Sequence, residues 1–237
     1  MKKTLLIGLF SAMALGAYAQ GTVVFNDRES DLTFHIYTPQ ASGVAITGNT
    51  ATDIPAGTQT YGNGSVLLGG ASGAAGTPIN YTYGNNFTVQ LYAAPGTGDA
   101  VSSLLPVAQY TTFMRQTSQA AVIGTFITPS IASDPGIPNT PATAASATVA
   151  LACWYNAGGT ITSLAEAMAT PGTPWGESLP INISQLGESV GSPPPTAPEL
   201  YGMQSFSLVP NNIPEPGTIA LGVMGACAFL ARRRLKK

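Results

Sequence analysis

The chain has 237 residues, of which 9 are Lys or Arg and 11 are Asp or Glu, and its formal net charge is −2. Seven of the nine cations lie within the first three and the last six residues. Residues 20–213 therefore keep only Arg28 and Arg115, and ten acids against these two arginines leave the segment a net charge of −8. An acidic segment without lysine excludes nucleic-acid binding, because that affinity depends on cations that neutralise phosphates.

Residues 1–19 have the layout of a secretory signal peptide. A charged start with two lysines is followed by an apolar run that ends in the small residues Ala17 and Ala19. This spacing is what signal peptidase requires before its cut. We predict a signal helix that is removed after Ala19, so that the mature chain begins at Gln20. A permanent N-terminal anchor is the alternative, but the apolar run is short and a good cleavage site follows it.

Residues 20–210 are enough for one domain and hardly for two. They are rich in Gly, Thr, Ser, Ala and Pro, with aromatic residues spaced along short alternating runs. This pattern favours an all-β fold. We predict a single β-sandwich-like domain with long loops rich in Gly and Pro and one short helix.

The first predicted element is a hairpin formed by residues 22–25 and 32–38. In the second of these segments, Phe34 and Ile36 fall on one face and His35 and Tyr37 on the other, because side chains alternate along a strand.

Four further strands are predicted at residues 87–92, 148–155, 179–183 and 206–209. The first is the cleanest, since it alternates apolar and polar residues before a loop at 94–99. The second is apolar enough to be the central strand of a sheet. Pro180 restricts the third to an edge or to a strand start.

One helix is predicted after residue 162. Ser163 and Glu166 have the spacing of a capping box, and Pro171 stops the helix after two turns at most. Loops are predicted at 57–76, 129–141, 174–177 and 192–198, where Gly and Pro accumulate.

The C-terminal part begins with the motif Pro214, Glu215 and Pro216, followed by an uncharged run at residues 218–231. A helix of 14 residues is about 21 Å long, which is short of the roughly 30 Å hydrocarbon core of a bilayer. Flanking residues extend its reach at both ends. The run therefore predicts a short membrane-spanning helix.

The chain ends in a basic tail that opens with Arg232, Arg233 and Arg234. These cations keep the tail in the cytoplasm by the positive-inside rule, so the domain faces outwards. We predict a sorting segment at 211–237 with a transmembrane helix at about 217–231. A buried core helix with a basic tip is the alternative, but the run lacks the polar face that such a helix shows.

This order of a Pro-Glu-Pro motif, a short membrane helix and an arginine-rich tail resembles the PEP-CTERM sorting signal of exported bacterial proteins. The resemblance implies recognition by an exosortase-like membrane protease, with Glu215 and then its two flanking prolines as the recognised residues. The expected partners are this protease, signal peptidase and the membrane. A weaker similarity of pattern and order covers most of the chain and links the domain to uncharacterised PEP-CTERM ectodomains, which implies a β-sandwich and no known catalytic residue.

Residues that carry catalysis are scarce in the domain. His35 is the only histidine and lies among apolar residues of a predicted strand, so we expect a structural or surface role rather than a Ser-His-Asp site. Cys153 falls on an apolar strand and is predicted to be a small buried hydrophobe. The other cysteine, Cys227, lies in the predicted membrane helix, so no disulfide is expected. We predict a protein that is not an enzyme and binds no cofactor.

Acidic residues offer two weaker alternatives. The cluster at 27–31 lacks the glycine and the glutamate of an EF-hand loop, so a charged hairpin tip is preferred to a calcium site and no metal site is predicted. Four glutamates could supply the carboxylate pair of a glycosidase only if they converged in space, and their spacing places them around loops. They are Glu166, Glu177, Glu188 and Glu199.

Two classes of function remain. The first is a structural or interaction protein of the cell envelope or extracellular matrix, located at the membrane, the surface or the medium, with exopolysaccharide as a candidate partner. The alternative is a carbohydrate-binding surface module in which exposed aromatic rings stack on sugars. Its candidates are Trp154, Trp175, Tyr81, Tyr83 and Tyr92. Of these, Trp154 is expected in the core and Trp175, in a predicted loop, is the better exposed.

Overall fold

The structure is a computed structural model that describes residues 21–62, 66–70, 79–129, 136–137, 140, 146–187 and 196–211. The predicted signal helix and residues 212–237 lie outside the described residues. The described chain is mostly strand with one short helix, which confirms the prediction of a β-rich fold. Its strands are β1 (Arg28–Glu29), β2 (Leu32–Thr33), β3 (Ile36–Tyr37), β4 (Phe87–Pro95), β5 (Leu105–Phe113), β6 (Ala147–Tyr155), β7 (Trp175–Glu177), β8 (Ile181–Ile183) and β9 (Phe206–Ser207), and its helix is α1 (Leu164–Ala169).

The largest sheet is open and has five strands in the order β5-β4-β6-β7, with β8 also paired to β6. Its pairs are all antiparallel. β4 and β6 pair along their full lengths, from Phe87 opposite Tyr155 to Pro95 opposite Ala147. β6 is central, as predicted, because β4 lies on one of its edges and β7 and β8 share the other.

The strands predicted at 87–92, 148–155 and 206–209 are confirmed as β4, β6 and β9, although β9 is shorter than predicted. The strand predicted at 179–183 corresponds to β8, which begins directly after Pro180. β5 has no counterpart among the predicted strands.

The predicted hairpin of 22–25 with 32–38 is wrong. The hairpin that forms is the much smaller pair of β1 and β2. Residues 22–25 lie against later parts of the chain instead, where Thr22 pairs with Gly187 and Phe25 is buried in the core. β3 continues away from the hairpin and runs parallel to β9. Long-range pairing that buries apolar side chains outweighs the local turn.

The main hydrophobic core lies between one face of the five-stranded sheet and the irregular N-terminal part together with β9. The faces predicted for 32–38 are confirmed: Phe34 and Ile36 belong to this core, whereas Tyr37 stacks on Tyr61 with ring centroids 3.7 Å apart. Fully buried members of the core include Phe34, Phe87, Val89, Leu91, Tyr110, Phe126, Val149, Leu151, Cys153 and Phe206.

A smaller apolar cluster fixes α1 against the opposite face of the sheet. Leu164 and Ala167 of the helix pack with Ala152 and Trp154 of β6. These β6 residues alternate with the core-facing ones, so the central strand is covered on both faces.

The start of α1 confirms the predicted cap with one difference. The Oγ of Ser163 accepts the backbone N–H of Glu166 at 3.2 Å. In a capping box the acidic side chain returns to the N–H of the cap residue. Here the carboxylate of Glu166 accepts the N–H of Thr162 at 2.9 Å, one residue earlier.

The segment around Trp175 is strand β7, which corrects the predicted loop. Trp175 pairs with Trp154 of β6 on one side and with Val209 on the other. A side chain at Gly176 would not fit, because a Cβ there would lie 2.8 Å from the carbonyl oxygen of Ser207. Pairing on both sides therefore overrides the loop signal of the neighbouring Pro and Gly.

The predicted loops are described only in part. Residues 57–62 and 66–70 of the first loop contain no helix or strand, as predicted. Residues 63–65 and 71–76 of that loop, and most of the loops at 129–141 and 192–198, lie outside the described residues.

Candidate functional site

The residues of the sorting hypothesis lie outside the described part of the chain. They are Ala17, Ala19, Pro214, Glu215, Pro216, Arg232, Arg233 and Arg234. Within the described part, no helix combines the length and the apolar character that a membrane span needs. The structure therefore informs the domain between the two predicted signals.

Asn211, the last residue that the structure describes, is buried against the end of α1. The side-chain amide of Asn211 donates to the carbonyl oxygens of Ala167, Met168 and Thr170 at 3.0, 2.9 and 2.7 Å. Its backbone carbonyl accepts the N–H of Gly172 at 2.8 Å. Carbonyls in the last turn of a helix lack intrahelical partners, so Asn211 caps α1 from a distant part of the chain.

The residues just before Asn211 are fastened as well. Val209 exchanges two backbone hydrogen bonds with Trp175, at 2.7 and 3.2 Å. Asn211, assigned by sequence to the sorting segment, is thus bound to the domain. No sequence signal marks Asn211, because it lies among Pro and Asn residues and such a segment is typical of a linker.

His35 lies in a buried hydrogen-bond network. Its Nδ1 is hydrogen-bonded to Asp53, and its backbone N–H donates to the Oγ of Ser205 at 2.7 Å. Ser205 Oγ donates to the second carboxylate oxygen of Asp53 at 2.9 Å, and the hydroxyl of Thr50 donates to the same oxygen at 3.0 Å. Burial alone would raise the pKa of Asp53, but the hydrogen bonds from His35, Thr50 and Ser205 outweigh it and hold the pKa below its usual value.

A serine, a histidine and an aspartate meet in this network without forming a catalytic triad. In a triad the imidazole takes the proton of the serine hydroxyl. Here the hydroxyl of Ser205 donates to Asp53 and accepts from the backbone of His35. The side chain of Asp53 is 0% exposed and that of His35 only 8%. The geometry supports the structural role predicted for His35, and the surface role is wrong.

Asp27 is buried, which corrects the prediction that all of 27–31 forms a charged hairpin tip. Its Oδ2 accepts the N–H of Phe126 at 2.7 Å, while its Oδ1 has no hydrogen-bond partner among the described residues. Burial raises the pKa of Asp27 well above its usual value, and the Phe126 N–H and the charge of Arg115 oppose this only in part. In the part of the chain that is described, no group of three or more His, Cys, Asp or Glu side chains could hold a metal ion.

The remaining reactive groups are spread over the domain. Cys153 is fully buried in the core, as predicted, and burial raises the pKa of its thiol well above the usual value. Glu166 lies on α1, Glu177 on β7 and Glu199 in the segment before β9. Glu188 lies outside the described residues.

None of the five aromatic residues of the sugar-binding alternative is exposed. Trp154 is fully buried, as predicted, and Trp175 and Tyr92 pack partly buried against the α1 cluster. The ring of Tyr81 lies 5.8 Å from that of a core phenylalanine, and Tyr83 is half-buried. These five residues therefore do not present the exposed, coplanar array that stacking on sugar rings needs.

Comparisons with protein-family models, with curated proteins and with solved structures give no match.

Proposed function

We propose that the chain is an exported, non-catalytic structural or interaction protein of the cell envelope or extracellular matrix, held at the membrane or released from it through its C-terminal sorting segment. The observation that carries this proposal is the distribution of charge. Seven of nine cations flank the two apolar runs at the ends, and the 194 residues between them carry no lysine. A leader with a cleavage site and a basic tail after an uncharged run are what export and retention require.

The short distance in sequence between the domain and the motif supports the proposal. Asn211 is hydrogen-bonded to the end of α1, and the motif of Pro214, Glu215 and Pro216 begins three residues later. A protease that recognises the motif would therefore act close to this fastened residue. Prolines favour an extended backbone in the residue before them, which suits entry into a protease cleft.

The polar interior supports a non-catalytic domain. Its single histidine is hydrogen-bonded to Asp53, and the Oγ of Ser205 is hydrogen-bonded to Asp53 and to the backbone N–H of His35. Cys153 lies in the core. We propose a sandwich-like body in which the five-stranded sheet is one layer and the N-terminal part with β9 is the other. Such a body would act through its outer surface, with exopolysaccharide as the candidate partner.

The proposal is tested by fractionating cells that produce the full-length chain, its Glu215→Gln variant and a matched control, Asp31→Asn. Asp31 is an exposed acid of the hairpin tip. We expect the unaltered chain and the control to lose the tail, and the Glu215→Gln variant to accumulate in the membrane with the tail attached. Processing of Glu215→Gln at the same rate as the control would contradict recognition of the motif.

The arginines are tested separately by replacing Arg232, Arg233 and Arg234 with glutamine in the Glu215→Gln background. Loss of the cations should weaken retention in the membrane, because they hold the end of the helix on the cytoplasmic side. If retention in the membrane were unchanged, these three arginines would have no anchoring role.

A further inference from the structure

Two tyrosine rings lie face to face in the N-terminal part of the domain. The rings of Tyr37, in β3, and Tyr61 have centroids 3.7 Å apart and planes inclined by only 8°. Aromatic pairs in proteins usually keep their centroids about 4.5–7 Å apart, in offset or edge-to-face arrangements. The ring carbons of the two phenols are therefore in close contact, which is the proximity that a bond between two tyrosine side chains needs.

This pair differs from every other ring contact among the described residues. The other contacts have centroids 4.8–6.4 Å apart, and each of them includes a phenylalanine or the histidine. In the part of the chain that the structure describes, Tyr37 and Tyr61 are thus the only two tyrosines whose rings are in contact. Only a contact between two phenols can be converted to dityrosine.

The fold holds both rings in place. Tyr37 belongs to β3, which is paired with β9. The hydroxyl of Tyr61 donates to the carbonyl oxygen of Gly48 at 2.9 Å. The N–H of Gly62, the next residue, donates to the side-chain oxygen of Gln40 at 3.0 Å. The stack is therefore a fixed arrangement of the domain, and reacting groups that are held together couple far more readily than groups that must meet by diffusion.

An oxidant can reach the pair through Tyr61. This residue is half-buried, whereas Tyr37 is only 8% exposed. Because the rings are in contact, the loss of an electron from Tyr61 is shared with Tyr37. The buried ring therefore does not need direct access to the oxidant.

We propose that Tyr37 and Tyr61 form an oxidative modification site, at which a peroxidase-type one-electron oxidant with hydrogen peroxide joins the two side chains as dityrosine. The link ties β3 to the segment at 57–62. Residues 20–213 contain a single cysteine, Cys153, so this domain forms no internal disulfide, and the tyrosine pair supplies a covalent link in its place. This inference goes beyond the proposed function and does not depend on it.

The reaction balances with hydrogen peroxide as the electron acceptor. Burial raises the pKa of both hydroxyls, so each phenol keeps its proton at neutral pH. Each phenol loses one electron and its hydroxyl proton, and the two radicals join through a ring carbon next to the one that carries oxygen. Each joined carbon then loses its hydrogen as a proton and each oxygen regains one, which restores both rings. The two electrons and two protons that are released reduce one hydrogen peroxide to two waters.

The test treats the full-length chain in detergent with a haem peroxidase and hydrogen peroxide, at a protein concentration low enough to limit coupling between chains. A protease that cuts before aspartate separates the tyrosines at Asp53, with Tyr37 in peptide 31–52 and Tyr61 in peptide 53–98. We expect dityrosine fluorescence from monomeric protein. We also expect the two peptides to remain joined, with a mass lower than their sum by two hydrogen atoms.

Variants assign the link to the pair. Tyr61→Phe keeps the ring and removes the hydroxyl, so it should abolish the joined peptides, and Tyr37→Phe should do the same. The matched control is Tyr83→Phe, since Tyr83 is also half-buried and lies in the same peptide as Tyr61. The control should give the joined peptides in unchanged yield.

Three outcomes would overturn the proposal. The first is an equal yield of joined peptides in Tyr61→Phe. The second is coupling only between separate chains, through exposed tyrosines such as Tyr201. The third is no coupling in the protein under conditions that couple free tyrosine.

The link also has a consequence for stability. A cross-link restricts the unfolded chain, as a disulfide does. The oxidised chain should therefore unfold at a higher urea concentration than the untreated chain, whereas oxidation should leave the transition of Tyr61→Phe unchanged. A shift of equal size in both proteins would assign the effect to other oxidation products and would overturn the role of the link.

Discussion

Asp53 is the centre of a buried hydrogen-bond network that fastens β3, the chain after residue 49 and the start of β9 to one another. A buried carboxylate is tolerated only when hydrogen bonds replace its lost hydration. The donors to Asp53 come from His35, Thr50 and Ser205, which are far apart in sequence. Sequence analysis singled out His35 but not its partner, because nothing in the sequence marks Asp53 among ten similar acids.

Replacing Ser205 with alanine should lower the free energy of unfolding at pH 7 by about 1–3 kcal/mol, since a buried N–H and a buried carboxylate each lose a partner. The free energies come from urea denaturation of the variant and of a matched control, Ser103→Ala, whose serine is exposed. The control should remain close to the unaltered chain.

The same variant has a predicted pH dependence. Because the pKa of Asp53 is lowered in the folded state, the network contributes stability above the ordinary carboxyl pKa of about 3.9 and loses it as the pH falls through the folded pKa. The Ser205→Ala variant lacks one of the bonds that lower this pKa. The difference from the unaltered chain should therefore shrink below about pH 4, and a difference that grows on acidification would refute this account.

The pKa of Asp27 is shifted in the opposite direction to that of Asp53, so its pH dependence is also opposite. Its raised pKa means that the folded state binds a proton more tightly than the unfolded state, so stability is lost as the pH rises from the unfolded pKa towards the folded one. Asp27→Asn retains an oxygen for the Phe126 N–H and removes the ionisable group. We expect the loss of stability in urea denaturation as the pH rises above the ordinary carboxyl pKa of about 3.9 to be smaller in the variant, and parallel pH profiles would be inconsistent with a buried carboxyl.

At the scale of elements, the sequence predicts those segments whose pattern is decided locally. β4 and β6 alternate or are apolar throughout, and α1 has its own cap, so all three are predictable. β5 is not, because its register shifts between Gln90 and Tyr92 of β4 and its buried residues Val107 and Tyr110 are three apart instead of two. The bulge removes the signal on which strand prediction depends.

β7 and β3 show a second reason why some strands cannot be predicted from the local sequence. Trp175 and Ile36 are in strands because distant segments pair with them, Val209 in one case and Phe206 in the other. Long-range partners of this kind leave no trace in the local sequence. Asn211 was missed for the same reason, as its partners lie more than forty residues earlier.

The cap of α1 gives a prediction at this scale. Ser163→Ala should lower the free energy of unfolding by about 1 kcal/mol, because the N–H of Glu166 loses its acceptor. Ser163→Asp restores an acceptor and should remain close to the unaltered chain in urea denaturation. Equal loss in both variants would mean that the hydroxyl acts through packing and not as a cap.

At the scale of the molecule, an early strand, β3, pairs with the last described strand, β9. β3 pairs in parallel with β9, and the pairing joins Ile36 to Phe206. The pairing of the N-terminal part therefore cannot be completed until almost the whole domain is available to fold. The proposed sorting segment follows in the sequence, so under the proposed function a tail held in the membrane would leave all of the described strands outside.

Cys153 provides a probe for unfolding of the whole molecule. It lies in the core and burial raises the pKa of its thiol, so it should react with a maleimide only when the core opens. In the full-length chain with Cys227→Ser, labelling should follow the same urea transition as tryptophan fluorescence. The exposed Thr97→Cys variant serves as the reactive control, and labelling of Cys153 in the native state at the control's rate would contradict the placement of the strand.

The central claim is that both ends of the chain are signals, and the masses of the two ends test it most directly. Trypsin can cut residues 20–213 only after Arg28 and Arg115, so the terminal peptides of protein recovered from producing cells are few and identifiable. We predict an N-terminal peptide that starts at Gln20 and a C-terminal peptide that starts at Gln116 and ends within or next to Pro214, Glu215 and Pro216. Cytosolic protein that retains Met1 and ends at Lys237 on every molecule would contradict the account.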